Sequence, residues 1–307
     1  MQKLSRFKLY GLMLLGTLMT SPSIAEDIRL PYQGLTLNAN LSLAPGSSLS
    51  DGVVLITHGT QAHSRLELIQ GLQERLRDQG RNSLAINLSF GTDDRHGLWD
   101  CSVPSRYRHE DAVGEIGAWV EWLKNRGVKD LVLMAHSRGG SQTLWYATEH
   151  DSDIIKSLVL LAPGLSTRER EVAGYRKRFN KELLPLLTRA QNLVAEGRGD
   201  TLLEDVPFLF ICPETSVSAS SFVSFYADDP RRDTPYWLNK VKKPTLIIFG
   251  TADTVVPELP ERVAPFVDGE RIQYETVDGA GHFFRDLNLD DAVDAAVAFI
   301  ESEEKTQ

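Results

Sequence analysis

Short apolar runs recur along this chain with helical patterns between them, and that rhythm limits the fold more than any other feature. Val53-Val54-Leu55-Ile56 is apolar at every position. Leu68, Ile69, Leu72 and Leu76 follow at helical spacing, and Gly80 stops that helix. Leu84-Ala85-Ile86-Asn87-Leu88 is the next run. Val113, Ile116, Val120 and Leu123 make a second helical stripe that ends at Gly127. The runs Leu131–Met134, Ser157–Leu161, Thr245–Phe249 and Ile272–Val277 continue the series, and Val293, Ala296, Val297 and Ile300 close it with a helix. Two more strand patterns, Ile28–Leu35 and Leu37–Leu43, come first, around Gly34. Runs with no polar alternation suit strands covered on both faces, and strand–helix alternation builds parallel neighbours. The expectation is an α/β fold: a mostly parallel sheet of about eight strands, flanked by helices, in one domain over residues 26–307.

The rhythm breaks between about residues 165 and 240. This stretch is polar and helical in pattern, and its one strand-like run is Phe208–Ile211. It holds a basic cluster (Arg176, Lys177, Arg178, Lys181) and the aromatic residues Phe222, Phe225, Tyr226, Tyr236 and Trp237. An insertion of this size reads as a helical lid over a site. The basic cluster alone reads as a solvated helix face.

The N-terminus reads as a leader. Lys3, Arg6 and Lys8 precede an uncharged, mostly apolar run from Leu9 to Thr20, and small residues Ser23 and Ala25 follow. That pattern predicts a secretory signal peptide over residues 1–25, cleaved after Ala25, and a periplasmic or secreted protein. The run is shorter than the roughly 20 residues a spanning helix needs, so no stable membrane anchor is expected. The chain has 33 basic and 42 acidic residues, a formal charge of −9. Loss of the leader removes three basic residues and no acidic ones, leaving 30 against 42 and a charge of −12. A surface this acidic argues against a nucleic-acid partner. There are two cysteines, Cys101 and Cys212. In an exported protein they favour one disulfide over two buried thiols, and that bridge would tie the loop around Cys101 to the lid.

The chemistry points to Ser137. The run Leu131-Val132-Leu133-Met134-Ala135-His136-Ser137-Arg138-Gly139-Gly140 carries a strand straight into a serine, with small residues two places before it and two after. That is a nucleophile elbow with Ala135 at the first small position in place of glycine. A serine hydroxyl needs a base, and the base needs an orienting carboxylate. Asp253, in Gly250-Thr251-Ala252-Asp253-Thr254-Val255-Val256-Pro257, lies just past an apolar strand. His282, in Gly279-Ala280-Gly281-His282, lies just past the last one. Both fall at the carboxyl ends of strands, where open α/β sheets build their sites. Asp278 is an alternative acid, but an aspartate in a glycine-rich turn usually serves the turn. His136, inside the elbow, reads as a packing residue. His63, His96, His109 and His150 lack partners at metal-ligand spacing. Asp93-Asp94-Arg95-His96 reads as a substrate contact or an internal salt bridge rather than a metal loop.

These three motifs, in the order Ser, Asp, His, resemble those of the α/β-hydrolases, and the likeness runs from about residue 28 to residue 303. The leading-alanine serine motif is similar to that of some lipases of the family. The resemblance implies a catalytic triad of Ser137, Asp253 and His282 that cleaves carboxylic esters without cofactor or metal, on a small-molecule or lipid-like acyl substrate. It also implies an oxyanion hole, with donors at the backbone N–H groups of Thr60, in Thr57-His58-Gly59-Thr60, and of Arg138. The same triad serves acyltransferases, thioesterases and peptidases, and a binding protein could retain the fold without turnover. The sequence carries no signature of oligomeric state.

Overall fold

The computed structural model describes residues 26–306; the expected leader lies outside the described residues. Strands β1 (Glu26–Tyr32) and β2 (Leu35–Ser42) form an antiparallel hairpin. The chain then alternates: β3 (Val53–Thr57), α1 (Glu67–Asp78), β4 (Ser83–Ile86), α2 (Asp111–Lys124), β5 (Leu131–His136), α3 (Arg138–Glu149) and β6 (Ile155–Leu161). An inserted segment follows. It comprises α4 (Arg168–Phe179), α5 (Leu183–Ala195), β7 (Leu202–Phe208), β8 (Cys212–Ser218), α6 (Ala219–Tyr226) and α7 (Thr234–Leu238). The main series resumes with β9 (Thr245–Gly250), α8 (Leu259–Val263), β10 (Ile272–Val277) and α9 (Leu287–Thr306).

The eight main strands form one sheet in the order β1-β2-β4-β3-β5-β6-β9-β10. β2 meets β4 antiparallel, and every pair from β4 to β10 is parallel. Every residue of β3 and β5 is buried, because helices cover both faces of the sheet centre. Full burial of such a Leu or Ile side chain is worth about 1.5–3 kcal/mol. Cutting Leu133, which has no exposed surface, back to alanine should therefore cost about 2–5 kcal/mol. Helices α1 and α2 end at glycines with positive φ, Gly80 at 78° and Gly127 at 83°, where a side chain would strain the reversal.

The insertion departs from the helical expectation. It carries a two-stranded antiparallel sheet, β7–β8, and Phe208 pairs directly with Cys212. Residues 209–211 are therefore the turn of a hairpin, not a strand. The hairpin is hidden in the sequence because its register shifts twice, between Leu203 and Val206 and between Val206 and Phe208. Asp205 takes φ 54° at that irregularity. A bulged strand loses the period of two that makes a strand legible. The insertion has its own aromatic core. Phe222 and Phe225 are fully buried, and both stack on or abut Phe208. Cys101, in the loop after β4, is joined to Cys212 by a disulfide, with Cα atoms 5.4 Å apart. The same loop adds main-chain bonds to the hairpin: Ser105 N donates to Ser216 O at 2.8 Å, and Ser218 N donates to Ser105 O at 2.9 Å.

Candidate active site

Ser137 stands between the end of β5 and the start of α3 with φ 54° and ψ −130°. That conformation is costly for any residue with a Cβ, of the order of 1–3 kcal/mol, and close packing holds it. The Ser137 N–H donates to Leu161 O at 3.0 Å, and its carbonyl accepts from Gly140 N and Gly164 N, both at 2.8 Å. A Cβ on Gly139 would lie 2.3 Å from the His58 carbonyl oxygen, so only glycine lets α3 start this close to β3. Ala135 is buried between Thr57 of β3 and Leu160 of β6.

The structure brings together the three residues singled out in the sequence. Ser137 Oγ lies 3.0 Å from His282 Nε2. His282 Nδ1 lies 2.8 Å from Asp253 Oδ2. The other Asp253 oxygen accepts from the amides of Val255 at 2.7 Å and Val256 at 3.0 Å. Burial alone would raise the Asp253 carboxyl, but the His282 ring and these two amides outweigh it and hold it below its ordinary value. The carboxylate is thus ionised and an acceptor on both oxygens, so His282 Nδ1 carries the proton and Nε2 is left to accept from the serine. The loops after β9 and β10 can meet because Gly250 lacks a side chain; a Cβ there would stand 2.1 Å from the Ala280 carbonyl oxygen. Asp278 turns elsewhere and accepts from the Thr251 hydroxyl at 3.0 Å.

Thr60 and Arg138 flank Ser137 in the same cavity. Their side chains also touch: Arg138 Nε donates to Thr60 Oγ1 at 2.9 Å. A Cβ on Gly59 would press on Ser137 Cβ at 3.0 Å, so this turn lies directly against the serine. Behind it, His58 Nε2 faces the Leu88 amide and an Arg95 amino group, each at 3.1 Å. Both can only donate, so the ring proton sits on Nδ1, which donates to Gly59 O at 2.8 Å. Burial, with the Arg95 charge beside it, pulls His58 down to about 3. The ring therefore stays neutral and ties this turn to the end of β4.

His136 does more than pack. Its Nε2 donates to the main-chain carbonyl of His282 at 2.8 Å. Burial, aided by the neighbouring His282, lowers it to about 3, so the ring is neutral. The bond spans 146 residues and leaves no mark in the local sequence. The Asp93–His96 loop is structural. Asp93 accepts from the Thr36 amide at 2.6 Å, and Asp94 pairs with Arg29 at 3.0 Å. Arg95 is buried among carbonyls, including Leu88 O at 2.7 Å. No group of three or more metal-ligating side chains occurs among the described residues.

A cavity of about 570 Å³ opens above Ser137, between the main sheet and α4, the hairpin turn and the start of the β9 loop. The basic cluster of the insertion divides here. Arg176 pairs with Glu182 at 2.7 Å on the exposed side, and Lys181 is exposed. Lys177 and Arg178 are exposed too, as expected of a solvated face, but they also line the cavity. Among the described residues no helix is long and apolar enough to cross a membrane.

No curated protein matches the chain in sequence. Solved structures do match it in fold. Est1E from Butyrivibrio proteoclasticus, in a structure with ferulic acid bound, superposes with a TM-score of 0.66 at 20% identity over 91% of this chain and 99% of that one. The monoacylglycerol lipase of Paleococcus ferrophilus gives 0.59 at 19% identity, over 87% and 99%. The dienelactone hydrolase of Anabaena variabilis gives 0.56 at 16%, over 91% and 98%. At these identities the likeness is one of fold. The model of the family described as "Alpha/beta hydrolase family" matches residues 53–299, a span that holds the sheet from β3 to β10 and all three residues of the Ser137–His282–Asp253 chain, and the protein belongs to the alpha/beta hydrolase family.

Proposed function

We propose that the protein is an exported serine hydrolase that cleaves carboxylic esters through an acyl-enzyme. The observation that carries this reading is the unbroken line of hydrogen bonds from Asp253 through His282 to the hydroxyl of Ser137. His282 Nε2 takes the Ser137 proton as Oγ bonds to the carbonyl carbon. The negative charge that develops on the carbonyl oxygen is received by the N–H groups of Thr60 and Arg138. The ester C–O bond then breaks, and His282 returns the proton to the leaving alcohol. Water, activated by the same imidazole, attacks the acyl carbon and releases the acid. Asp253 fixes the imidazole tautomer and steadies the imidazolium. The inserted segment over residues 165–240 serves as the lid, and the protein acts in the periplasm or outside the cell on a small-molecule or lipid-like ester.

The test is labelling with a fluorophosphonate probe. The wild-type protein should take up one probe at Ser137, located by peptide mass, and release 4-nitrophenol from 4-nitrophenyl esters. Ser137→Ala should do neither. Equal labelling of the two proteins would sink the reading.

A further inference from the structure

The cavity above Ser137 has a charge opposite to that of the chain around it. Five cationic side chains line it: Arg138, Arg170, Lys177, Arg178 and Arg232. Two carboxylates do so, Glu171 and Glu258, in a chain whose net charge is −9. Both carboxylates are engaged. Glu258 is paired with Arg170, which also donates to Val255 O at 2.7 Å. Glu171 lies 3.6 Å from Arg232 and accepts from the Ser166 hydroxyl at 3.0 Å.

Among the described residues the other three cations form no ion pair with a carboxylate, although Glu171 acts on Arg178 from farther off, and two of them are held in place by neutral groups. Arg178 lies over Phe210, its guanidinium carbon 3.9 Å from the ring centre, and its NH1 group donates to Leu209 O at 3.3 Å. Arg138 bonds to the Thr60 hydroxyl and stands 5.4 Å from the Phe225 ring centre. A guanidinium fixed by an aromatic face and one neutral acceptor keeps its remaining N–H groups and its full charge for an incoming anion. Desolvation lowers the Arg178 pKa, Tyr226 and the Glu171 carboxylate partly offset it, and the charge of Arg138 adds a smaller push downward, so an anion reaching both guanidiniums would meet two positive charges. The buried Arg232, also in the lining, leaves its Nε without a partner.

We propose that this cavity selects esters that carry an anionic group, a carboxylate or a phosphate, away from the scissile carbonyl, and that Arg178 and Arg138 bind that group. The proposal deepens the hydrolase reading above and rests on it. The planar, two-pronged match of guanidinium to carboxylate or phosphate supplies the specificity, while Ser137 acts on the carbonyl as it would in a neutral ester.

The experiment compares kcat/KM for 4-nitrophenyl hemiglutarate with that for 4-nitrophenyl hexanoate, a neutral ester of similar length. The charged ester should be preferred on the order of tenfold or more, the worth of a charge-assisted contact in a partly dry site. The preference should shrink in 0.5 M NaCl and in Arg178→Gln, and Arg178→Lys should restore part of it. Melting curves check that these variants fold. Competition by glutarate against inorganic phosphate then identifies which anion the site favours. A wild-type preference for the neutral ester, or a ratio unmoved in Arg178→Gln, overturns the proposal. Fluorophosphonate labelling at Ser137 separates the two claims: a labelled protein with no charge preference keeps the hydrolase reading and loses this one. If neither ester is turned over, calorimetry of Ser137→Ala with the same two esters decides, since equal affinity for both overturns the anion site.

Discussion

At the residue scale, the site depends on one strained serine and on the small residues that allow the strain. Ser137 holds φ 54° because α3 begins within touching distance of β3, and Gly139 sets that distance. Gly139→Ala would put a methyl 2.3 Å from a main-chain carbonyl, which must push backbone rather than a side chain. The expected result is a loss of about 1–3 kcal/mol in urea unfolding, together with slower probe labelling at Ser137 as the hydroxyl moves off His282. Asp253→Asn tests a different term. Asparagine keeps the shape but can present an N–H to His282 Nδ1, which favours the wrong tautomer. On the hydrolase reading proposed above, and by analogy with known serine triads, kcat should fall about 10³- to 10⁴-fold, measured on a 4-nitrophenyl ester, with the folded structure retained by circular dichroism. Ser137, Asp253 and His282 could be picked out in the sequence because each follows an apolar strand and stands in a loop rich in small residues. His136 could not be read in its role. Its bond to the His282 carbonyl exists only once β5 and the loop after β10 are brought side by side, and no local pattern encodes that meeting.

At the element scale, regular segments were legible and irregular ones were not. β3, β5 and β9 are buried on both faces, so their sequences are apolar except at an end residue, and α1 and α2 end at the glycines that the pattern marks. The β7–β8 hairpin was missed because its bulges destroy alternation and because polar residues occupy its open face. Its anchor, by contrast, was within reach: two cysteines in a chain with a leader-like start. The Cys101–Cys212 bond spans 111 residues, and closing a loop of that length is worth roughly 4–5 kcal/mol in the chain-entropy view. The bond joins the β4–α2 loop to the hairpin whose turn supplies Leu209 and Phe210 to the cavity. Replacing both cysteines with serine should therefore do two things. The melting temperature should fall, and amide exchange should speed up selectively in residues 202–218 while β3 and β5 stay protected. Uniform acceleration across the sheet would mean that the bond supports the whole domain rather than the roof of the cavity.

At the scale of the whole molecule, the sheet's parallel character follows from strand–helix alternation, but its order does not. The chain places β4 outside β3 and then crosses back to β5, a choice made by packing and by the handedness of the crossovers. The same packing buries titratable groups whose ionisation opposes folding. His58 and His136 sit near 3 in the folded chain because burial removes water from the rings, whereas an unfolded histidine protonates near 6.5. Between those values the unfolded chain binds protons that the folded chain refuses, so each ring supports folding above about pH 6.5 and loses that support as pH falls toward 3. His109, also fully buried, is pushed down in the same sense. Glu115 works the other way. Burial raises it to about 7, so between about 4.5 and 7 the folded chain is the one that holds the proton, and this group weakens folding as pH rises. Burial raises Asp233 and Glu303 as well and lowers His63, so four histidines that refuse protons stand against three carboxyls that hold them. Urea unfolding at pH 7, 6 and 5 should show stability falling with acidity, by about 1.4 kcal/mol per pH unit for each uncompensated proton. His136→Gln keeps a donor for the His282 carbonyl but cannot titrate, and it should flatten that slope by about one proton. Should the slope of His136→Gln match that of the wild type, His136 would not be held neutral by the fold, and its place behind the His282 loop would have to be explained without burial.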